Sequence, residues 1–203
     1  MNNRIFKEID NLLLQKKTVL MAIDGDSASG KTTLAKKLSE KYDCNVFHVD
    51  DFFLSPSAKT NNKISFTNEN INYESILNEI ILPIISGKSF LYEPYDCRKD
   101  KFCTPVIVTP KKLNIVEGSY SMHPYLARYY DYAVFLHIDG NLQRERILNR
   151  NTADMQKRFF EEWIPKEKEY FTAYFIPQCC NAEFNAEDLI CKKRSNELCQ
   201  QQY

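Results

Sequence analysis

Two rhythms of apolar residues run along this chain, one helical and one extended. Residues 3–17 place Ile5, Phe6, Ile9, Leu12 and Leu13 on one face of a helix. The rhythm then changes to a nearly unbroken apolar run, Thr18-Val19-Leu20-Met21-Ala22-Ile23-Asp24, the pattern of a parallel strand buried on both faces. Leu34, Ala35 and Leu38 restore helical spacing over 33–41. Further strands are expected at 44–49, 113–118 and 132–139, and a weak edge strand at 181–186. Residues 73–86 read as a helix through Ile76, Leu77, Ile80, Ile81 and Ile84, with Pro83 kinking or ending it. Residues 90–96 and 104–109 read as a hairpin turning near Asp100-Lys101. A short basic helix follows at 141–150, then a longer helix at 155–175 that Pro165 interrupts. Its aromatic stripe, Phe159, Phe160, Trp163, Tyr170, Phe171, Tyr174 and Phe175, reads as core packing on one face. Residues 55–66 read as an exposed loop and 191–203 as a polar tail.

Strands alternating with helices predict a parallel sheet of about five strands covered on both faces, a three-layer α/β fold with its ligand outside the carboxyl ends of the strands. The 203 residues fit a single domain, 1–203. Charged residues make up 27% and cancel to a net charge of zero, with no basic excess to suggest nucleic acid as a partner. The first ten residues are mixed in charge, unlike a secretion signal, and no apolar run approaches membrane-spanning length. Seven cysteines, an odd number without paired Cys-x-x-Cys spacing, read as reduced thiols of a cytoplasmic protein rather than a disulfide framework or zinc site.

The chemistry lies between the first strand and the helix after it. Gly25-Asp26-Ser27-Ala28-Ser29-Gly30-Lys31-Thr32, followed by Thr33, is G-x-x-x-x-G-K-[ST], the phosphate-binding P-loop. Strand, glycine loop and helix build an anion site at a helix N-terminus. Lys31 is placed to reach the β- and γ-phosphates of ATP or GTP, and the Thr32 hydroxyl to ligate Mg²⁺. Three strand ends carry acids, Asp24, Asp50 and Glu117, placed for metal or proton transfer beside a polyphosphate. Arg146 and Arg150, four apart, share a helix face suited to gripping phosphate when a lid closes; Arg144 is a weaker candidate. Phe53, Tyr95 and Arg98 are candidates for an acceptor pocket within 51–112. His123 reads as a capping or core residue.

These residues also resemble a known family, the uridine kinase-like P-loop kinases, which include uridine/cytidine kinases, nicotinamide riboside kinases and phosphoribulokinase. The resemblance spans about residues 18–175. His48-Val49-Asp50-Asp51-Phe52-Phe53 is similar to the segment after the second strand, and the resemblance implies Asp50 as catalytic base. Tyr92-Glu93-Pro94-Tyr95-Asp96-Cys97 resembles the segment lining the acceptor pocket, and Ile115-Val116-Glu117-Gly118-Ser119-Tyr120 the strand supplying a metal-linked carboxylate. Arg146 and Arg150 match lid arginines, which implies a lid over 141–160, and 162–170 looks like the long helix after it. Three positions depart: Gln143 stands where uridine kinases carry an acceptor-touching arginine, Asn72 where an acid helps hold the ribose, and Asn151 where an aspartate is usual.

The resemblance implies a Mg²⁺- and ATP-dependent transfer of phosphate to a small hydroxyl acceptor, a nucleoside before others. A regulatory P-loop NTPase, a kinase of a non-nucleoside alcohol and a non-catalytic nucleotide-binding module are the alternatives. Assembly into a homo-oligomer is compatible with all of them.

Overall fold

The computed structural model describes residues 3–53, 71–96 and 101–189. The loop expected at 55–66, the candidate Arg98 and the polar tail fall outside these ranges.

The apolar runs become the strands of one sheet: β1 (Val19–Gly25), β2 (Cys44–His48), β7 (Leu113–Glu117), β8 (Tyr132–His137) and β9 (Ala182–Asn185). They line up as β2-β7-β1-β8-β9, and every pairing is parallel. Every residue of β1 and β7 is buried, because these central strands are covered on both faces. Alternate residues of β1 serve the two faces. Val19, Met21 and Ile23 meet Ile5 and Ile9 of α1 (Asn3–Gln15) and Leu34 and Leu38 of α2 (Lys31–Lys41). Leu20 and Ala22 point the other way. Leu20 packs with Ile76, Ile80 and Ile84 of α3 (residues 73–86), and Ala22 with Phe135, Tyr170 and Phe171. The architecture is the expected three-layer α/β fold.

The helices carrying Pro83 and Pro165 both differ from expectation. Neither proline ends its helix. α3 runs as an α-turn (Tyr73–Ser75), a π-turn (Ile76–Ile81) and an α-helix (Leu82–Ser86). After α4 (Pro124–Ala127) and α5 (Gly140–Arg150), α6 runs as Ala153–Arg158, a π-turn (Phe159–Trp163) and Ile164–Ala173. Each proline is the second residue after its π-turn. Proline lacks an amide hydrogen and its ring strikes the carbonyl four residues back; the wider turn just upstream relieves both problems, so the helix continues.

The expected hairpin is two short antiparallel ladders. β3 (Phe90–Tyr92) pairs with β6 (Val106–Val108), and β4 (Tyr95–Asp96) with β5 (Lys101–Phe102). The weak edge strand at 181–186 forms as β9, between the short helices α7 (Ile176–Cys179) and α8 (Ala186–Leu189). No described helix is long and apolar enough to cross a membrane.

Candidate active site

The P-loop sits where the carboxyl end of β1 meets the N-terminus of α2. Its root cannot carry a side chain: Gly25 has φ +138, and a Cβ there would lie 2.2 Å from the Leu136 carbonyl oxygen on β8. The Asp24 carboxylate anchors this root. It is fully buried and accepts from the amides of Gly25 (2.7 Å), Met122 (2.9 Å) and Tyr120 (3.2 Å) and from the Tyr170 hydroxyl (2.9 Å). Burial pushes its pKa up to about 6, against the pull of these hydrogen bonds and of Lys31.

Within the loop, Ala28 adopts a left-handed conformation (φ 63), which costs a non-glycine residue about 1–2 kcal/mol. The loop is therefore held from several sides. Asp26 Oδ2 accepts from the Ile138 amide (3.1 Å), Gln143 donates to the Ser27 carbonyl (2.9 Å) and Arg146 to the Ala28 carbonyl (2.9 Å). Ser29 is buried, and Gly30 leads into α2 with φ 101. The Lys31 ammonium folds back on the carbonyls of Gly25 (2.9 Å) and Asp26 (3.0 Å) and on Ser119 Oγ (3.1 Å). Thr33 is exposed beside it.

The structure brings Thr32 and Glu117 together. The Thr32 hydroxyl donates to Glu117 Oε1 at 2.9 Å, and His48 Nδ1 lies 2.6 Å from the same oxygen. That contact to Glu117 raises the His48 pKa against the opposing effect of burial. Asp50 lies in the short turn Val49–Phe52 just after β2. It is exposed to solvent, yet the surrounding protein strips part of its hydration. Its pKa is raised first by that desolvation and then by Glu117, while Lys31 lowers it. Asp51 accepts a hydrogen bond from the Tyr92 hydroxyl, so it supports the turn that presents Asp50.

The remaining candidates are spread more widely. Phe53 is half-buried against the Phe47 cluster and bridges to Ile71. Tyr95 is buried, its ring edge-on to Phe102 at 5.3 Å. Arg150 is exposed, over the Phe159 ring at 5.7 Å, within the fields of Arg146, Asp50 and Glu167. Arg144 stands over Phe160 (4.8 Å) and Arg158 over Trp163 (4.6 Å). This corrects the reading of the aromatic stripe. Tyr170 and Phe171 are core, but Phe159, Phe160 and Trp163 are partly exposed platforms for arginines, and Phe175 is exposed.

The three departures have structural uses here. Gln143 is spent on the P-loop. Asn72 caps α3, accepting from the Ser75 amide at 3.0 Å. Asn151 donates to the Ile147 carbonyl. His123 caps α4, accepting from the Tyr125 amide, and stacks on Tyr73 with centroids 4.0 Å apart. Its burial lowers the pKa to about 4. Glu167 was invisible to sequence reasoning because it lies in the charged run Lys166-Glu167-Lys168-Glu169, which reads as a solvated face. It is buried, and it accepts from the Ser27 amide (3.0 Å), the Ser27 hydroxyl (2.6 Å) and the Ser119 hydroxyl (2.7 Å). Its spacing of three from Tyr170 was the available signal.

A P-loop at the head of an all-parallel sheet, with acids at the adjacent strand ends, defines the class as a P-loop kinase. Residues 20–195 match the phosphoribulokinase/uridine kinase family, and the chain belongs to that family. Two solved structures share the fold. One is described as a possible uridine kinase from Bacillus stearothermophilus: 19% identity, TM-score 0.63, covering 89% of this chain and 99% of that one. The other is a D-glycerate 3-kinase from Cryptococcus neoformans: 14% identity, TM-score 0.58, covering 92% and 97%. No curated protein sequence matches this chain.

Proposed function

We propose that the chain transfers the γ-phosphate of ATP, or of GTP, to a hydroxyl group of a small molecule, with nucleosides the first class to test. One observation carries the reading: Thr32 and Glu117 meet at 2.9 Å beside the Lys31 ammonium, and Asp50 lies within the fields of Glu117 and Lys31. A hydrolase needs only to place water, whereas an exposed carboxylate just after a strand, within the fields of Lys31 and Glu117, suits a bound hydroxyl.

In this mechanism the P-loop amides and Lys31 hold the β- and γ-phosphates. The hard oxygen donors of Thr32 and Glu117 suit Mg²⁺, with Asp50 in support. Among the described residues no cluster of three acids, histidines or cysteines could hold a metal alone, which fits an ion that takes other ligands from phosphate and water. When bound, Mg²⁺ neutralises charge on the transferring phosphoryl group. Asp50 accepts the proton as the acceptor oxygen bonds to phosphorus and ADP departs. Its raised pKa strengthens it as a base. Arg146 and Arg150 form a lid over 141–160 that stabilises the developing charge, and Phe53 and Tyr95 border the acceptor. A cytoplasmic setting fits use of ATP.

A second reading, a non-nucleoside alcohol as acceptor, is favoured by Gln143 and Asn72. The positions where uridine kinases hold the nucleoside are here spent on the P-loop and on a helix cap. Acceptor-stimulated ADP release, measured with nucleosides, sugars and hydroxy acids, separates the two. Stimulation by hydroxy acids or sugars alone selects the second reading. ATP hydrolysis that no acceptor accelerates refutes transfer. Lys31→Ala removes any genuine activity, by about 100-fold or more, in a folded protein.

A further inference from the structure

The phosphate chemistry gives Glu167 no task, yet it is one of the most enclosed carboxylates in the molecule. Its surroundings are specific. Oε2 accepts the Ser27 amide at 3.0 Å, and Oε1 accepts both the Ser27 hydroxyl (2.6 Å) and the Ser119 hydroxyl (2.7 Å). Ser119 Oγ in turn accepts from Lys31 Nζ at 3.1 Å. From the opposite side Gln143 holds the Ser27 carbonyl. The Ser27 residue is thereby gripped at its amide, hydroxyl and carbonyl. One helical turn beyond Glu167, Tyr170 grips the Asp24 carboxylate at the loop's root. Spacing of three puts both grips on one face of α6.

A carboxylate beside a phosphate site is electrostatically unfavourable for an anionic ligand. Its presence there calls for a compensating gain, and the geometry supplies one. A loop with left-handed Ala28 keeps its shape only if the surroundings over-determine it. We propose that Glu167 is a positioning residue: through Ser27 and Ser119 it fixes the P-loop backbone and the Lys31 ammonium in the arrangement that receives nucleotide phosphates. This rests on the kinase reading of the site.

Charge and geometry then predict opposite effects, which two substitutions separate. In Glu167→Gln the side-chain oxygen accepts the Ser27 amide and the new NH₂ donates to the two hydroxyls, so the grip survives and the negative charge goes. In Glu167→Ala the grip is lost. Mg·ATP and Mg·ADP affinities of the full-length chain are measured by calorimetry, alongside melting temperature and the Michaelis constants for ATP and acceptor. The glutamine variant is expected to bind nucleotide within about threefold of wild type, or more tightly. The alanine variant is expected to bind about tenfold or more weakly, as for loss of charged hydrogen bonds, with the acceptor's Michaelis constant unchanged. Ser27→Ala added to Glu167→Ala should weaken binding no further.

Wild-type affinity in a folded alanine variant overturns the proposal. So does a glutamine variant as weak as alanine, since charge rather than geometry would then matter. If the alanine variant does not fold, Glu167→Asp decides: its shorter arm withdraws the carboxylate, and wild-type affinity there also overturns the proposal. A wild-type chain that binds no nucleotide refutes the kinase reading itself, whereas binding that is indifferent to Glu167 refutes only its positioning role.

Discussion

Replacing Asp24 by Asn tests the balance of forces at the root of the P-loop. The carboxylate is fully buried and receives four hydrogen bonds. Burial opposes its ionisation, the hydrogen bonds favour it, and burial wins: the pKa rises from an ordinary 3.8 to about 6. An acid raised in the native state contributes stability below its unfolded pKa and loses it as pH rises through the folded value. Asp24 alone therefore lowers stability between pH 4 and 6, by about 3 kcal/mol at 1.36 kcal/mol per unit. Asparagine cannot ionise, so its protein escapes this loss. Its single carbonyl oxygen satisfies about two of the four donors and leaves the others unmet, at about 1–3 kcal/mol each. The variant should be clearly less stable than wild type at pH 4, and the gap should narrow by about 3 kcal/mol by pH 7. Urea unfolding of both proteins from pH 4 to 7.5 measures the gap directly. Other raised carboxylates, such as Asp26 and Asp51, are common to both proteins and cancel. A gap that stays constant or widens with pH would mean that the hydrogen bonds outweigh burial, and the reasoning would fail.

Three further outcomes are expected. Gly25→Ala forces a Cβ against the Leu136 backbone at an unfavourable φ and should destabilise the fold by about 4 kcal/mol or more, read from thermal unfolding. Asp50→Asn should cut phosphoryl transfer by about 100- to 10,000-fold with little change in ATP affinity; a loss confined to Asp51→Asn would reassign the base to its neighbour. Arg150→Ala should slow single-turnover transfer by about 100-fold while sparing nucleotide affinity. Arg146→Ala should weaken both, because Arg146 also holds the Ala28 carbonyl; equal behaviour of the two variants would contradict this division.

The sheet and the P-loop were legible because each follows from a short-range rule. A strand buried on both faces must be apolar throughout, as Val19–Gly25 is, and the octet from Gly25 to Thr32 carries its own spacing. The pairing of Thr32 with Glu117 was legible only as one P-loop residue and one strand end, since their meeting depends on β7 lying beside β1. Gln143 and Glu167 were not legible. A buried polar residue looks like a surface one until its partner is known, and both partners lie more than 100 residues away in the P-loop. The stripe over 159–175 failed for a different reason: it put residues on both sides of a π-turn on one helix face.

That failure has a practical side. The π-turn at Phe159–Trp163 gives α6 one residue more than an α-helix of the same length would hold. Everything after it, Glu167 and Tyr170 included, is out of phase with everything before it. Removing one residue from 159–163 would let the segment relax to α-helical geometry with the two halves keeping nearly their present orientation, because the wider turn absorbs the extra residue. Forcing the same residues into an unbroken α-helix would instead turn the halves by about 100°, and either the arginine platforms or the grip on Ser27 and Asp24 would face the wrong way. An alignment that closes this insertion with a gap elsewhere would likewise match Glu167 to a residue on another face of the helix, and its partner in the P-loop would go unnoticed.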